Sequence, residues 1–220
     1  MTPENTNNLV GVKICGLTNP EDVACAVEAG AAFIGFVFVP GSPRFVSAEQ
    51  AAQLIAHVPE GIMTVGLFAN QSPTQIQDIL DVAPLGMLQL HGQESPQDVA
   101  KIRSANMRPV MKAIGIGTIN DLAEARAHAQ VADMLLFDHK PGAGLAGGTG
   151  KLADWPTIAQ WRGRKPWMLA GGLNEKNIAQ AVAETGAGLL DVSSGVERSR
   201  GVKDCGLIKA FMQAAKNLPI

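Results

Sequence analysis

A cysteine and a lysine stand close together where the first apolar run of the chain ends. Cys15 follows Lys13 by two residues and precedes Gly16. A nearby cation favours the thiolate of a cysteine, and a thiolate can accept a proton from a substrate. A cysteine in an apolar run is also often a buried packing residue, so its position alone leaves both interpretations of Cys15 open.

Asp138 and Arg44 are the next candidates. Asp138 ends the run Met-Leu-Leu-Phe, where an ionised carboxylate is costly and the protonated form is favoured. We therefore interpret Asp138 as an acid, with a loop or helix cap as the alternative. Arg44 lies in Gly-Ser-Pro-Arg-Phe-Val and could bind a carboxylate through two parallel hydrogen bonds, although a solvated surface arginine fits nearly as well.

Two glycine loops have the composition of a phosphate site. Gly171-Gly172 follows one apolar run, and Ser194-Gly195 follows the next. Glycine lets backbone N–H groups approach phosphate oxygens, and a serine hydroxyl adds a donor. Tight turns are the alternative, and the phosphate of a flavin would suit the same loops.

A third glycine-rich segment does not support a nucleotide fold. Residues 142–147 match GxGxxG, but more glycines follow and no helix begins there. Gly150-Lys151 lacks the Ser or Thr and the glycine spacing of a P-loop. We expect this segment to be a mobile loop over the site.

Eight short apolar runs alternate with stretches of helical periodicity, the pattern of parallel strands joined by helices. Eight units of about 25 residues favour an α/β fold of the (β/α)8 TIM-barrel type over an open doubly wound sheet. The predicted strands are Gly11–Cys15, Phe33–Phe38, Met63–Ala69, Met87–His91, Pro109–Ile114, Met134–Asp138, Trp167–Gly171 and Leu189–Ser193.

The ends of the helices can also be predicted. Helix N-caps are expected at Asn19, Ser47, Ser72, Ser95 and Asp154, and helix ends at Gly30 and Gly186.

Catalytic groups of such barrels lie at the C-terminal ends of the strands. The rule selects Lys13, Cys15, Arg44, Gln89, His91, Lys112, Asp138 and Asp191. We interpret His91 as a site-wall residue, because no second histidine ends a strand and a metal site would lack ligands. No metal is therefore predicted.

Composition narrows the class of protein. The chain has 220 residues, 46% of them hydrophobic, and a net charge of -2 with scattered cations, which argues against nucleic-acid and membrane-surface binding. Its most apolar run, residues 31–39, is too short to span a membrane. We expect a disordered tail over residues 1–9, a single catalytic domain over residues 10–220, and a small molecule as the partner.

Three cysteines without a CxxC pair argue against a disulfide framework and a structural zinc site. Cys25 and Cys205 are interpreted as packing residues inside helices. A reduced cytoplasm is therefore the expected location.

The candidate residues belong to an ordered set of short motifs. These are Lys13-Ile-Cys15-Gly16, Gly35-Phe-Val-Phe, Ser42-Pro43-Arg44, Val65-Gly-Leu-Phe-Ala-Asn70, Gln89-Leu-His91-Gly92, Lys112-Ala, Gly147-Gly-Thr149-Gly150, Asp154-Trp155, Leu169-Ala-Gly171-Gly172-Leu173, Asp191-Val-Ser-Ser-Gly195-Val-Glu197 and Gly201-Val-Lys203-Asp204. The set resembles the phosphoribosylanthranilate isomerases of tryptophan biosynthesis, from the first strand to the last helix.

The resemblance implies an Amadori rearrangement of N-(5'-phosphoribosyl)anthranilate without metal or organic cofactor. Asp138 would be the general acid that opens the ribose ring, and Cys15 the general base that removes the C2 proton. Arg44 would bind the anthranilate carboxylate, and the two glycine loops would hold the phosphate. Lys13, Gln89, His91 and Asp191 are predicted to contact the substrate.

Two other functions stay open at this point. The related isomerase of histidine biosynthesis handles a substrate with two phosphates and uses two aspartates, and Cys15 argues against this function. The sequence does not exclude an enzyme that acts on both substrates. A barrel that only binds a sugar phosphate or flavin is the second alternative, and the retained Cys15 and Asp138 argue against it. Monomer and homodimer are both compatible with the sequence.

Overall fold

A computed structural model describes residues 10–140 and 152–218, and its central feature is a closed barrel of eight parallel strands. Each strand pairs with the next along the chain, and β8 pairs with β1. The predicted (β/α)8 TIM barrel is confirmed. The strands are β1 Gly11–Cys15, β2 Phe33–Val37, β3 Met63–Phe68, β4 Met87–Leu90, β5 Val110–Ile116, β6 Met134–His139, β7 Trp167–Leu169 and β8 Leu189–Val192.

Eight α-helices are described around the barrel: α1 Pro20–Ala29, α2 Ala48–Ile55, α3 Pro73–Leu80, α4 Pro96–Asn106, α5 Asp121–His128, α6 Trp155–Ile158, α7 Ile178–Thr185 and α8 Cys205–Lys216. Between β8 and α8 the chain forms a short 3-10 turn, Ser194–Val196, and an antiparallel hairpin of β9 Glu197–Ser199 and β10 Val202–Lys203. The predicted tail 1–9 and the predicted loop over the site, 142–147, lie outside the described residues. That residues 10–220 form one domain stays a prediction.

The predicted helix ends are confirmed. Each predicted N-cap side chain accepts a hydrogen bond from a backbone N–H of the first helical turn, and the helices after Ser47, Ser72 and Ser95 have complete capping boxes. Helices α1 and α7 end at Gly30 and Gly186, where φ is 90° and 71°, a left-handed conformation that favours glycine.

Side chains inside the barrel change from apolar to polar along the strands. The interior cluster contains Met87 on β4 and Leu136 on β6. Alternate residues of a strand face the same side, so Gln89 and His91 face the interior as Met87 does, and Asp138 faces it as Leu136 does. All three polar residues lie nearer the carboxyl ends of the strands than the two apolar residues. One end of the barrel is therefore packed with apolar groups, and the other carries the polar candidates.

The prediction that Cys25 and Cys205 are merely packing residues is wrong. Cys25 in α1 and Cys205 at the start of α8 form a disulfide, with their Cα atoms 5.9 Å apart. Pairing of β1 with β8 brings the first helix beside the last, so the barrel joins two cysteines that are 180 residues apart in sequence. The spacing of the cysteines could not reveal this contact. Within the described residues, no helix has the length and apolarity needed to cross a membrane.

Candidate active site

Cys15 lies in a charged setting inside the barrel, at the end of β1. Nζ of Lys13 donates to Oδ1 of Asp191 at 2.8 Å across the β1–β8 seam, where the two residues are in register. Lys13 is fully buried and Cys15 is 3% exposed. A Cβ on Gly35 of the neighbouring strand would lie 3.0 Å from Nζ of Lys13 and 3.1 Å from Sγ of Cys15. The bare backbone of Gly35 therefore leaves room for both side chains.

Burial and charge act against each other on these groups. Burial raises the pKa of the Cys15 thiol, and the cation of Lys13 opposes this rise without cancelling it. Burial also disfavours the charged amine of Lys13, but Asp191 and Cys15 outweigh that effect and raise the pKa of Lys13 above its ordinary range. Lys13 therefore stays a cation, and its charge favours a thiolate at Cys15 when one forms.

Asp138 is held at the end of β6 by two contacts. Its Oδ1 accepts from the backbone N–H of His139 at 2.6 Å, and its Oδ2 lies 3.2 Å from Nε2 of His91. Nδ1 of His91 lies 2.9 Å from Nε2 of Gln89. With the Gln89 amide donating to Nδ1, His91 carries its proton on Nε2 and donates it to Asp138. Three predicted site residues thus form one chain of contacts from β4 to β6.

A buried ion pair supports the loop that carries His91. Nζ of Lys112 on β5 donates to Oε2 of Glu94 at 3.0 Å and to the carbonyl of Gly92 at 2.8 Å. The carboxylate of Glu94 accepts from the backbone N–H groups of Asn70 and Gly92. Lys112 and Glu94 are 2% and 6% exposed, so these contacts fix the backbone after β4 rather than face solvent.

Arg44, between β2 and α2, is held by a carboxylate of this same chain. Its Nε and Nη2 donate to Oε1 and Oε2 of Glu197 at 2.7 and 2.9 Å. Nζ of Lys203 donates to Oε1 of Glu197 at 2.7 Å. Although burial opposes ionisation, the hydrogen bonds from Arg44 and Lys203 outweigh it and lower the pKa of Glu197 to about 2. Glu197 is thus an anion shared by two cations.

The two glycine loops predicted to bind phosphate meet each other. A Cβ on Gly195 would lie 1.9 Å from the carbonyl oxygen of Leu173, so the loop after β8 packs against the loop after β7. At Gly171, where φ is +86°, a Cβ would lie 2.9 Å from Oδ1 of Asp138. The structure therefore brings both loops to the end of the barrel that holds the acid candidate.

Comparison with known proteins identifies the family. The family model described as N-(5'phosphoribosyl)anthranilate (PRA) isomerase matches residues 12–214. The chain belongs to this family. It is 47% identical over 209 residues to the N-(5'-phosphoribosyl)anthranilate isomerase of Cereibacter sphaeroides, which covers 94% of this chain and 99% of that protein. It is also 47% identical over 208 residues to the isomerase of Paracoccus denitrificans, covering 94% of this chain and 97% of the relative.

Solved structures of the phosphoribosylanthranilate isomerase family have the same fold. The enzyme from Thermotoga maritima has a TM-score of 0.86 and 39% identity, covering 96% of this chain and 100% of that one. Another structure, of a phosphoribosyl anthranilate isomerase in complex with reduced 1-(o-carboxyphenylamino)-1-deoxyribulose 5-phosphate, has a TM-score of 0.83 and 36% identity, with 96% and 100% coverage. The resemblance inferred from the motifs is therefore confirmed at the level of the family.

The site of this phosphoribosylanthranilate isomerase family member contains residues that the strand-end rule does not select. Glu94, Glu197 and Lys203 are buried charged groups in loops and in the β9–β10 hairpin. Glu197 and Lys203 stand in the motifs that carry the resemblance, but their own spacing does not indicate which side chains they contact. Lys13 and Gln89, which the strand-end rule does select, are both fully buried.

Proposed function

We propose that this chain catalyses the Amadori rearrangement of N-(5'-phosphoribosyl)anthranilate to 1-(2-carboxyphenylamino)-1-deoxyribulose 5-phosphate in tryptophan biosynthesis. It is an isomerase, as its family membership implies. The observation that carries the mechanism is the position of Cys15 and Asp138 at the carboxyl ends of β1 and β6, one beside Lys13 and the other beside His91. The reaction needs a base and an acid in separate surroundings, and this arrangement supplies both.

Asp138 starts the reaction as the general acid. Its proton goes to the ring oxygen of the ribose, the C1–O bond breaks, and the nitrogen lone pair forms a protonated Schiff base. The resulting carboxylate of Asp138 is stabilised by the donors His91 Nε2 and the backbone N–H of His139. Gln89 acts on this step through His91, because its amide faces Nδ1 of that ring.

Cys15 completes the reaction as the general base. Its thiolate takes the proton from C2, the electron pair moves to form the enolamine, and tautomerisation gives the aminoketone. Lys13 compensates the thiolate charge, and Asp191 holds Lys13 in place. Each step transfers a proton between a side chain and the substrate or moves an electron pair within the substrate. Asp138 gives up one proton and Cys15 takes up one, and return of a proton from the thiol to the carboxylate through solvent restores both groups, so no oxidant or metal is required.

The two ends of the substrate require two anchors. The Arg44 edge that carries Nη1 makes no hydrogen bond to a described residue, and we assign it to the anthranilate carboxylate. Gly171, Gly172, Ser194 and Gly195 are assigned to the phosphate, supported by the packing of Gly195 against the carbonyl of Leu173. We also propose that His91 and Asp191 contact the sugar.

We propose that the enzyme acts in the cytoplasm, as a monomer or homodimer. A reducing compartment such as the cytoplasm would convert the Cys25–Cys205 disulfide to two thiols. Thiol alkylation of protein taken directly from cells would test this, because two alkylated helix cysteines are expected from the cytoplasm and none from an oxidising compartment.

The function is tested by the decay of substrate fluorescence when purified protein meets freshly generated phosphoribosylanthranilate. Cys15→Ser and Asp138→Asn should each lower kcat by about 10²–10⁴-fold, the usual contribution of a general base or acid. Asp78→Asn, at an exposed position of α3, is the matched control and should keep wild-type turnover. No decay with folded wild-type protein would refute the assignment and favour the histidine-pathway substrate or the binding barrel, and a yellow preparation would favour flavin.

A further inference from the structure

Glu197 is a buried carboxylate with four hydrogen-bond donors. It accepts from Nε and Nη2 of Arg44, from Nζ of Lys203, and from the backbone N–H of Gly201 at 3.1 Å. Its side chain is 3% exposed. We propose that Glu197 is a positioning residue of the isomerase, which fixes the anchor for the substrate carboxylate and the loop for the phosphate at a set separation. This inference rests on the proposed function.

On one side, Glu197 sets the orientation of Arg44. The carboxylate occupies the Nε and Nη2 edge of the guanidinium and leaves the Nη1 edge for a second anion. The stem of Arg44 lies over Gly16, where a Cβ would come within 2.5 Å of Cδ of Arg44. Arg44 is therefore held at both stem and head, directly beside the backbone that follows Cys15.

On the other side, Glu197 holds the cation that fixes the phosphate loop. Nζ of Lys203 also donates to the carbonyl of Ser193 at 2.9 Å and lies 3.1 Å from Oγ of Ser193. That hydroxyl in turn donates to the carbonyl of Cys15 at 3.0 Å. Ser193 directly precedes Ser194 and Gly195, so one carboxylate connects both anchors and the strand end of the base.

Charge explains why a carboxylate is required here. Arg44 and Lys203 both donate to the same oxygen, Oε1, each at 2.7 Å. Without the anion the two buried cations would repel each other and separate. A glutamine has the same shape but only one acceptor oxygen, so it cannot accept from both cations and from the second Arg44 nitrogen.

The first test is Glu197→Gln, with Glu60→Gln at an exposed position as the matched control. Loss of register between the anchors should lower kcat/KM by about 100-fold, since small displacements of the substrate have effects of that size. Glu60→Gln should equal the wild type. Circular dichroism and the unfolding midpoint of each variant establish that equal amounts of folded enzyme are compared. Wild-type kcat/KM in folded Glu197→Gln would overturn the proposal.

A second test separates positioning from general structural support. If Glu197 acts partly through Arg44, the fold losses of kcat/KM in Glu197→Gln and Arg44→Met should not multiply in the double variant. The fold loss of the double variant should be smaller than the product of the two single losses by at least about tenfold. Multiplicative losses would overturn the proposal. Glu197→Asp is the second variant, for the case that Glu197→Gln does not fold. It keeps the anion and should therefore fold as the wild type does. Because its side chain is shorter, it should still lose about tenfold in kcat/KM. Wild-type kcat/KM in Glu197→Asp would also count against the proposal. An inactive wild type would instead indicate failure of the proposed function.

Discussion

Replacing Lys13 by methionine should separate two effects of the ion pair with Asp191. Methionine keeps an unbranched stem in the barrel but removes the cation 2.8 Å from Oδ1 of Asp191. The two side chains are 0% and 10% exposed, so water replaces little of the lost interaction. Removal of one partner from a buried pair costs about 3–5 kcal/mol in the free energy of unfolding, and we expect a loss in that range.

The same change should alter the chemistry of Cys15. Lys13 is the main group that opposes the rise of the Cys15 pKa caused by burial, so its removal raises that pKa further. Each unit of the rise lowers the thiolate fraction at neutral pH about tenfold. The limb of the kcat profile that reports the thiolate should therefore move to higher pH, and kcat at neutral pH should fall at least about tenfold.

Urea unfolding followed by circular dichroism and the pH profile of substrate fluorescence decay measure the two effects. Lys101→Met is the control, because its side chain is 72% exposed and lies 4.0 Å from Asp98, and it should change stability by less than about 0.5 kcal/mol. In Lys13→Met with Asp191→Leu, stability should largely return, while the limb that reports the Cys15 thiolate should stay at higher pH than in the wild type. Lys13→Met with wild-type stability, or with no shift of the limb that reports the thiolate, would refute this reasoning.

Three further outcomes follow from other contacts. Cys205→Ser should lower the unfolding free energy of the oxidised protein by about 3–5 kcal/mol, because the disulfide closes a loop of 180 residues. Dithiothreitol should then affect the stability of the wild type only. Equal stabilities of the two proteins without reductant would contradict this. Gly195→Ala should raise KM about tenfold, because a Cβ would lie 1.9 Å from the carbonyl oxygen of Leu173 and force the two glycine loops apart. An unchanged KM in the fluorescence assay would count against the assignment of these loops to the phosphate. Lys112→Met should lower the free energy of unfolding in urea by about 3–5 kcal/mol, because it leaves buried Glu94 without its cation. Arg103→Met should lower it by less than about 1 kcal/mol, because the side chains of Arg103 and Asp133 are 52% and 30% exposed. Similar losses would show that burial does not govern the contribution of these ion pairs to stability.

The strand-end rule found much of the candidate site because a closed parallel barrel turns a local pattern into a spatial one. Lys13, Gln89, His91, Asp138 and Asp191 face the interior as their strands predict. Their individual contacts were not predictable, since the 3.2 Å approach of His91 to Asp138 depends on the register of strands around the barrel. The catalytic and binding roles assigned to these residues stay predictions.

The amino-acid sequence by itself determined the strands, the helix caps and the family, because periodicity, capping and short motifs act over a few neighbouring residues. Only the tertiary structure decided which distant groups meet. Closure of β8 on β1 pairs Lys13 with Asp191 across 178 residues and Cys25 with Cys205 across 180. The β9–β10 hairpin brings Glu197 to Arg44 across 153 residues. Such contacts are set by the closure and packing of the whole chain, and no local pattern encodes them.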